Sequence, residues 1–225
     1  MDLELISSIL IIIGIDIVLG GDNAIVIALA CKNLPERQRN KAIILGTMFA
    51  VVLRIILTLL AVYLLSIPFL QFVGGCFLIL IAFKLLTNND GDDTSINGGV
   101  SLHSAIKTIV FADLVMGLDN VIAIAGAAHG HMYLVVFGLL VSVPIVIWGS
   151  KLILVLMERF PIFIYLGAGI LAFTAGNMII QEEKLLYLYE RHQQFVDFIP
   201  LLTVLIVVIG GFISRRISAR NGFAS

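Results

Sequence analysis

The sequence predicts an all-α polytopic membrane protein with seven transmembrane helices, built as two inverted three-helix repeats plus a seventh helix. Three observations lead there. The 225-residue chain is 60% hydrophobic and only 13% charged, far from the usual balance of a soluble domain. Its apolar residues fall into seven long stretches. A thirteen-residue acidic signature occurs twice, inside two of them. Helix is the expected spanning form, because an open sheet edge in lipid leaves backbone groups unsatisfied.

The stretches run at 5–31, 42–65, 67–86, 105–127, 132–157, 160–181 and 198–214. Most reach the ~20 residues that a helix needs to cross the hydrocarbon core. The N-terminus, Met1-Asp2-Leu3-Glu4, lacks a basic n-region and a small-residue cleavage site, so the first stretch is expected to remain in the mature protein. Cys31 and Cys76 fall on different stretches and read as small packing residues. Asn88 to Ser101, rich in Asn, Asp, Gly, Ser and Thr, reads as a solvated linker. Glu182 to Asp197 reads as an interfacial segment with aromatic anchors. The domains expected are therefore a first repeat at 1–87, a linker at 88–101, a second repeat at 102–181, and at 182–225 the interfacial segment, seventh helix and basic tail.

The signature reads Asp16-Ile17-Val18-Leu19-Gly20-Gly21-Asp22-Asn23-Ala24-Ile25-Val26-Ile27-Ala28, and again from Asp113 to Ala125, with eight of thirteen positions identical. A second landmark supports the repeat: Pro68 with Gly74-Gly75 matches Pro161 with Gly167-Ala168. Each half then holds three spans. Three is odd, so the halves enter the membrane in opposite directions, as in many secondary transporters. Loop charges set the orientation. With the N-terminus outside, eleven basic residues face the cytoplasm: Lys32, Arg37, Arg39, Lys41, Lys84, Lys107, Lys151, Arg159, Arg215, Arg216 and Arg220. Only Lys184 and Arg191 face out. The expectation is a multi-pass protein of the cell's inner or plasma membrane, N-terminus outside and C-terminus cytoplasmic.

An acid at mid-membrane costs roughly 3 kcal/mol, so four of them argue for use. Asp16 and Asn23 are seven apart and share a helix face; Asp22 lies about 120° away on a straight helix. Glycine permits unusual dihedrals, so breaks are expected near Gly20, Gly21 and Gly117, with Asp22 and Asp119 opening the second half-helices. The metal ligands expected are Asp16, Asp22, Asn23, Asp113, Asp119 and Asn120. This hard, oxygen-rich set suits Mg²⁺, Ca²⁺ or Mn²⁺. An Asp that trades its proton for the metal would couple metal export to proton entry.

Arg54 stands mid-membrane, with Val146 at the rough match in span five. It calls for a carboxylate partner, Asp16 or Asp113 first, as a structural ion pair or as a gate that competes with the cation. Thr47, Thr58, Ser142 and Ser150 read as interhelical hydrogen bonds. Asn177 and Thr174 line a polar path or bond between helices, Lys84 snorkels to the interface, and His129-Gly130-His131 reads as an outer loop.

The duplicated Asp-x-Val-x-Gly-x-Asp-Asn signature in seven spans resembles the TerC family of bacterial integral membrane proteins, over nearly the whole chain. The resemblance implies a divalent-metal exporter with manganese as cargo rather than cofactor, and partners in the secretion machinery. The family's tellurium name does not establish a tellurite substrate, because an oxyanion fits a carboxylate-lined site poorly. The function expected is Mn²⁺ efflux by alternating access, with lipid, the cation and protons as partners and no nucleic acid. Two other readings stand beside it: a non-transporting membrane scaffold in metal stress, and an intramembrane aspartyl protease. The protease pattern fails on spacing, because Leu19 and Gly21 flank Gly20. No enzyme activity is expected.

Overall fold

The computed structural model describes residues 10–14, 16, 21–60, 67–87, 101–127, 132–185, 189 and 196–221. Among these there are only helices and turns. The helices are α1 (Gly21–Cys31), α2 (Glu36–Leu59), α3 (Leu70–Thr87), α4 (Leu102–Ala127), α5 (Met132–Arg159), α6 (Ile162–Ile180) and α7 (Ile199–Asn221), with a short 3₁₀ turn at Glu183–Leu185. Residues 10–14 and Asp16 are also helical, ahead of α1. Among the described residues, Glu36–Leu59, Leu70–Thr87, Tyr133–Arg159 and Ile162–Ile180 are long and apolar enough to cross a membrane. These fall on expected spans two, three, five and six. Gly21–Cys31 and Ile199–Ser214 are shorter apolar helices.

The chain forms two compact units, and each draws helices from both halves of the sequence. The first comprises Met1–Ile67 and Val100–Arg159. In it α2 packs along α4, α1 along α5, and α1 and α2 also meet α4 and α5 respectively. Its apolar core joins Ile12, Val51, Ile124, Leu134, Val135, Leu139 and Val143. Gly46 sets the α2–α4 approach: a Cβ there would stand 2.7 Å from Ile109 Cδ1. At one end, the Arg39 guanidinium donates to the Lys32 and Leu34 carbonyls, at 2.8 and 2.6 Å, and pairs with Glu158 of α5.

The second unit comprises Pro68–Gly99 and Phe160–Ser225. Here α3 and α7 both pack on α6. Small residues let the backbones meet, as is common in membranes: a Cβ at Gly75 would stand 2.7 Å from the Ala175 carbonyl oxygen, and one at Gly176 would stand 2.5 Å from Pro200 Cα. The Thr203 hydroxyl lies 2.8 Å from the carbonyls of Ala172 and Pro200, so it can bond α7 to α6. Buried Glu182 accepts from the Phe69 amide at 3.0 Å, where α3 begins. Phe69 itself has a φ of 61°. Its left-handed backbone is unusual for a bulky residue, and the carboxylate secures its amide.

The outward faces of the helices are apolar. Phe49, Val52 and Ile56 on α2, Trp148 and Val155 on α5, and Leu205, Ile206 and Ile209 on α7 are all exposed. Faces of this kind suit lipid as solvent.

One expectation needs correction. No break occurs at Gly117, because α4 runs unbroken from Leu102 to Ala127. A glycine inside a helix costs only about 1 kcal/mol relative to alanine, and α4 is held along α2. The bare backbone at Gly117 faces Arg54 instead: a Cβ there would stand 3.6 Å from Arg54 Nε. The break expected near Gly20 lies outside the described residues. Gly21 is the first residue of α1 and Asp22 lies in its first turn.

Candidate cation site

The first unit buries a polar cluster that none of its apolar helices would hold by chance. Arg54 comes from mid-α2, where the face carrying residues 47, 50, 51 and 54 turns inward. One guanidinium nitrogen donates to an Asp16 oxygen and another donates to an Asp113 oxygen. Asp16 and Asp113 are the first aspartates of the two signatures, so residues 97 apart in sequence share one cation. All three are buried, with Arg54 at 4%, Asp16 at 2% and Asp113 at 8% exposure. That matters because buried charges survive only when paired and hydrogen-bonded. The other Asp16 oxygen accepts from the Ser142 hydroxyl on α5. Four helical segments thus meet at this point.

A small cavity of about 20 Å³ adjoins the cluster. Asp16, Arg54, Asp113 and Ser142 line it, together with Asn23 of α1 and Thr47 of α2. Apolar side chains, among them Ile109 and Val146, complete the wall. Two oxygens here have no hydrogen-bond partner among the described residues: Asn23 Oδ1 and Thr47 Oγ1. Arg54 Nε is in the same condition. Unpaired buried polar atoms are uncommon, and each calls for a reason.

Among the sequence-predicted ligands, the site brings together Asp16, Asn23 and Asp113. Asp22 is half-buried and is not among the cavity's described lining. Asn120 is buried but lies two turns beyond Asp113, away from the cavity lining, and its Nδ2 has no described partner. The side chain of Asp119 lies outside the described residues. Among those residues, no three His, Cys, Asp or Glu side chains gather as a metal cage. The site pairs two carboxylates with an arginine instead.

The hydroxyls divide unexpectedly. Ser142 makes the interhelical bond expected of it. Thr58 and Ser150 turn back to carbonyls of their own helices, Arg54 and Val146, at 2.8 and 2.6 Å. A helical hydroxyl reaches the carbonyl four residues back without help from a neighbour. Thr47 makes neither kind of bond. It stands two turns from Arg54 on the same face of α2 and lines the cavity instead.

Comparison with known proteins agrees with this frame. Residues 1–221 match the Integral membrane protein TerC family. The chain is similar to the "Uncharacterized membrane protein YjbE" of Bacillus subtilis (strain 168), at 50% identity over 217 residues, covering 96% of this chain and 99% of that one. It is also similar to two proteins of Escherichia coli (strain K12). With the "UPF0053 inner membrane protein YgdQ" it shares 26% identity over 184 residues, covering 74% of this chain and 77% of the relative. With the "UPF0053 inner membrane protein YoaE" it shares 24% over 200 residues, covering 80% of this chain but 38% of that longer relative. No solved structure matches significantly. The acidic signatures, the lipid-facing helices and the match along almost the whole chain make this protein a member of the TerC family of integral membrane proteins.

Proposed function

We propose that this protein exports a divalent cation, with Mn²⁺ as cargo, by alternating access through one site shared by its two signatures. The observation that carries the reading is the bonding of Asp16 and Asp113 to a single buried guanidinium. Two carboxylates need two positive charges for neutrality, and Arg54 supplies one. A divalent cation supplies both, so an incoming metal that displaces Arg54 leaves the site neutral. Hard oxygen ligands favour Mn²⁺, Mg²⁺ or Ca²⁺ over softer metals. Arg54 then acts as a gate: it holds the carboxylates when no metal is present and withdraws when one binds.

The architecture proposed is seven spans, as two inverted repeats with a seventh helix, N-terminus outside. Helix pairing supports it. If spans one, two and three correspond to four, five and six, the α1–α5 and α2–α4 contacts are equivalents, and both are extensive. The two asparagines support alternation. Asn23 lines the cavity, whereas its counterpart Asn120 is buried away from it. In an inverted repeat these two lie on opposite sides of the aspartates, and a transporter open on one side treats them differently. Protons are proposed as the counter-ion.

Purified protein in liposomes tests the function. Mn²⁺ flux should appear with wild-type protein, respond to a proton gradient, and disappear in Asp16→Asn and Asp113→Asn. Mg²⁺, Ca²⁺ and Zn²⁺ run in parallel would rank selectivity. A folded preparation that moves none of these ions would refute transport and favour a scaffold role.

A further inference from the structure

Cations crossing a protein shed water in steps, and neutral oxygen ligands ease those steps. We propose that Thr47 Oγ1 and Asn23 Oδ1 form a neutral-oxygen subsite where the cation waits, beside the carboxylates while Arg54 still holds them. This rests on the transport reading above and adds Thr47, which the signature does not contain, to the residues that recognise the ion.

Three observations carry it. First, both oxygens lack hydrogen-bond partners among the described residues, and both belong to side chains at least nine-tenths buried, with Asn23 at 5% and Thr47 at 2% exposure. Both side chains line the same cavity. Its volume of about 20 Å³ admits one water or one bare ion.

Second, the described lining of the cavity extends from the charged cluster in one direction. In the first signature its lining passes from Asp16, ahead of α1, to Asn23 and Ile27 on α1, and along α2 from Arg54 back to Thr47. Along α4 it passes from Asp113 back to Ile109, and along α5 from Ser142 on to Val146. These directions agree: all four lead toward the ends carrying Cys31, Glu36, Leu102 and Arg159, the side that the loop charges assign to the cytoplasm. Thr47 stands seven residues before Arg54, or about 10 Å along the helix axis. An ion arriving from that side therefore meets Asn23 and Thr47 before the carboxylates.

Third, Thr47 differs from its neighbour on the same helix. The Thr58 hydroxyl is satisfied by a carbonyl 2.8 Å away. Thr47 stands in an equally regular stretch of α2, yet its hydroxyl has no hydrogen-bond partner among the described residues and its side chain lines the cavity. A threonine whose hydroxyl served only helix packing would make the same backbone bond as Thr58.

The test measures Mn²⁺ binding to the full-length protein in detergent, by loss of the free-ion paramagnetic resonance signal, together with flux in liposomes. Wild type is compared with Thr47→Val, which keeps the shape and removes the oxygen, with Thr47→Ser, which restores an oxygen, and with Thr47→Ala as a second deletion. The expected result is Mn²⁺ affinity weaker by about tenfold in Thr47→Val and Thr47→Ala, a raised KM for flux, and recovery in Thr47→Ser. Unchanged affinity and KM in Thr47→Val, with wild type binding and transporting Mn²⁺, would overturn the subsite and leave the transport reading standing. A folded wild type that neither binds nor moves any divalent ion would overturn both.

Discussion

The two units of this protein handle buried polarity in opposite ways. In the second, Glu182 secures the backbone amide of Phe69, and Thr203 bonds carbonyls across α6 and α7. Each buried polar group there helps hold helices together. In the first, Asp16, Arg54 and Asp113 satisfy one another, while Asn23, Thr47 and Arg54 Nε keep unused bonding capacity around a cavity. One unit uses its buried polar groups to hold helices together, and the other leaves several of them unbonded around a cavity. A bilayer sharpens the contrast, because idle polar groups are expensive in lipid.

The largest effect that would test this contrast is at Arg54. Arg54→Met leaves two carboxylates buried and unpaired, and removing one partner of a buried pair costs about 3–5 kcal/mol. Thermal unfolding in detergent should show a large loss. Added Mn²⁺ should restore more stability to this variant than to wild type, because the ion replaces the missing charge. Recovery no greater than in wild type would show that the arginine and the metal do not compete.

The next effect belongs to the second unit. Gly176→Val places a branched side chain where a Cβ already comes within 2.5 Å of Pro200 Cα. Overpacking of this kind costs about 1–3 kcal/mol. The protein that folds should bind Mn²⁺ with unchanged affinity, and a change in affinity would blur the division of labour between the units. Glu182→Gln comes third, with a loss of about 1 kcal/mol, since an amide oxygen still accepts from Phe69 without the charge. The smallest effects compare two threonines by the same unfolding measurement. Thr58→Val should cost less than about 1 kcal/mol. Thr47→Val should cost nothing or stabilise, since its hydroxyl makes no described bond.

Much of this was legible in the sequence. The doubled signature marked Asp16 and Asp113, and a lone mid-membrane arginine demanded one of them. The structure supplies both at once. Membrane physics explains that legibility: charge in lipid is rare, so each charge restricts where its partner can be. Neutral groups carry no such constraint. Thr47 and Ser142 resemble any helical hydroxyl in sequence, and only packing separates one that bonds Asp16 from one that faces a cavity. Gly117 misled for a related reason. Glycine permits a break but does not impose one. Val146, which the sequence matched roughly to Arg54, lines the same cavity from α5.

The central claim is that Asp16 and Asp113 make one cation site, and a double-substitution cycle tests it most directly. Mn²⁺ affinity would be measured for wild type, Asp16→Asn, Asp113→Asn and the double variant. A shared site predicts strong non-additivity, with either single substitution weakening binding nearly as much as both together. Additive losses, or a single substitution that halves the number of bound ions without altering affinity, would contradict it.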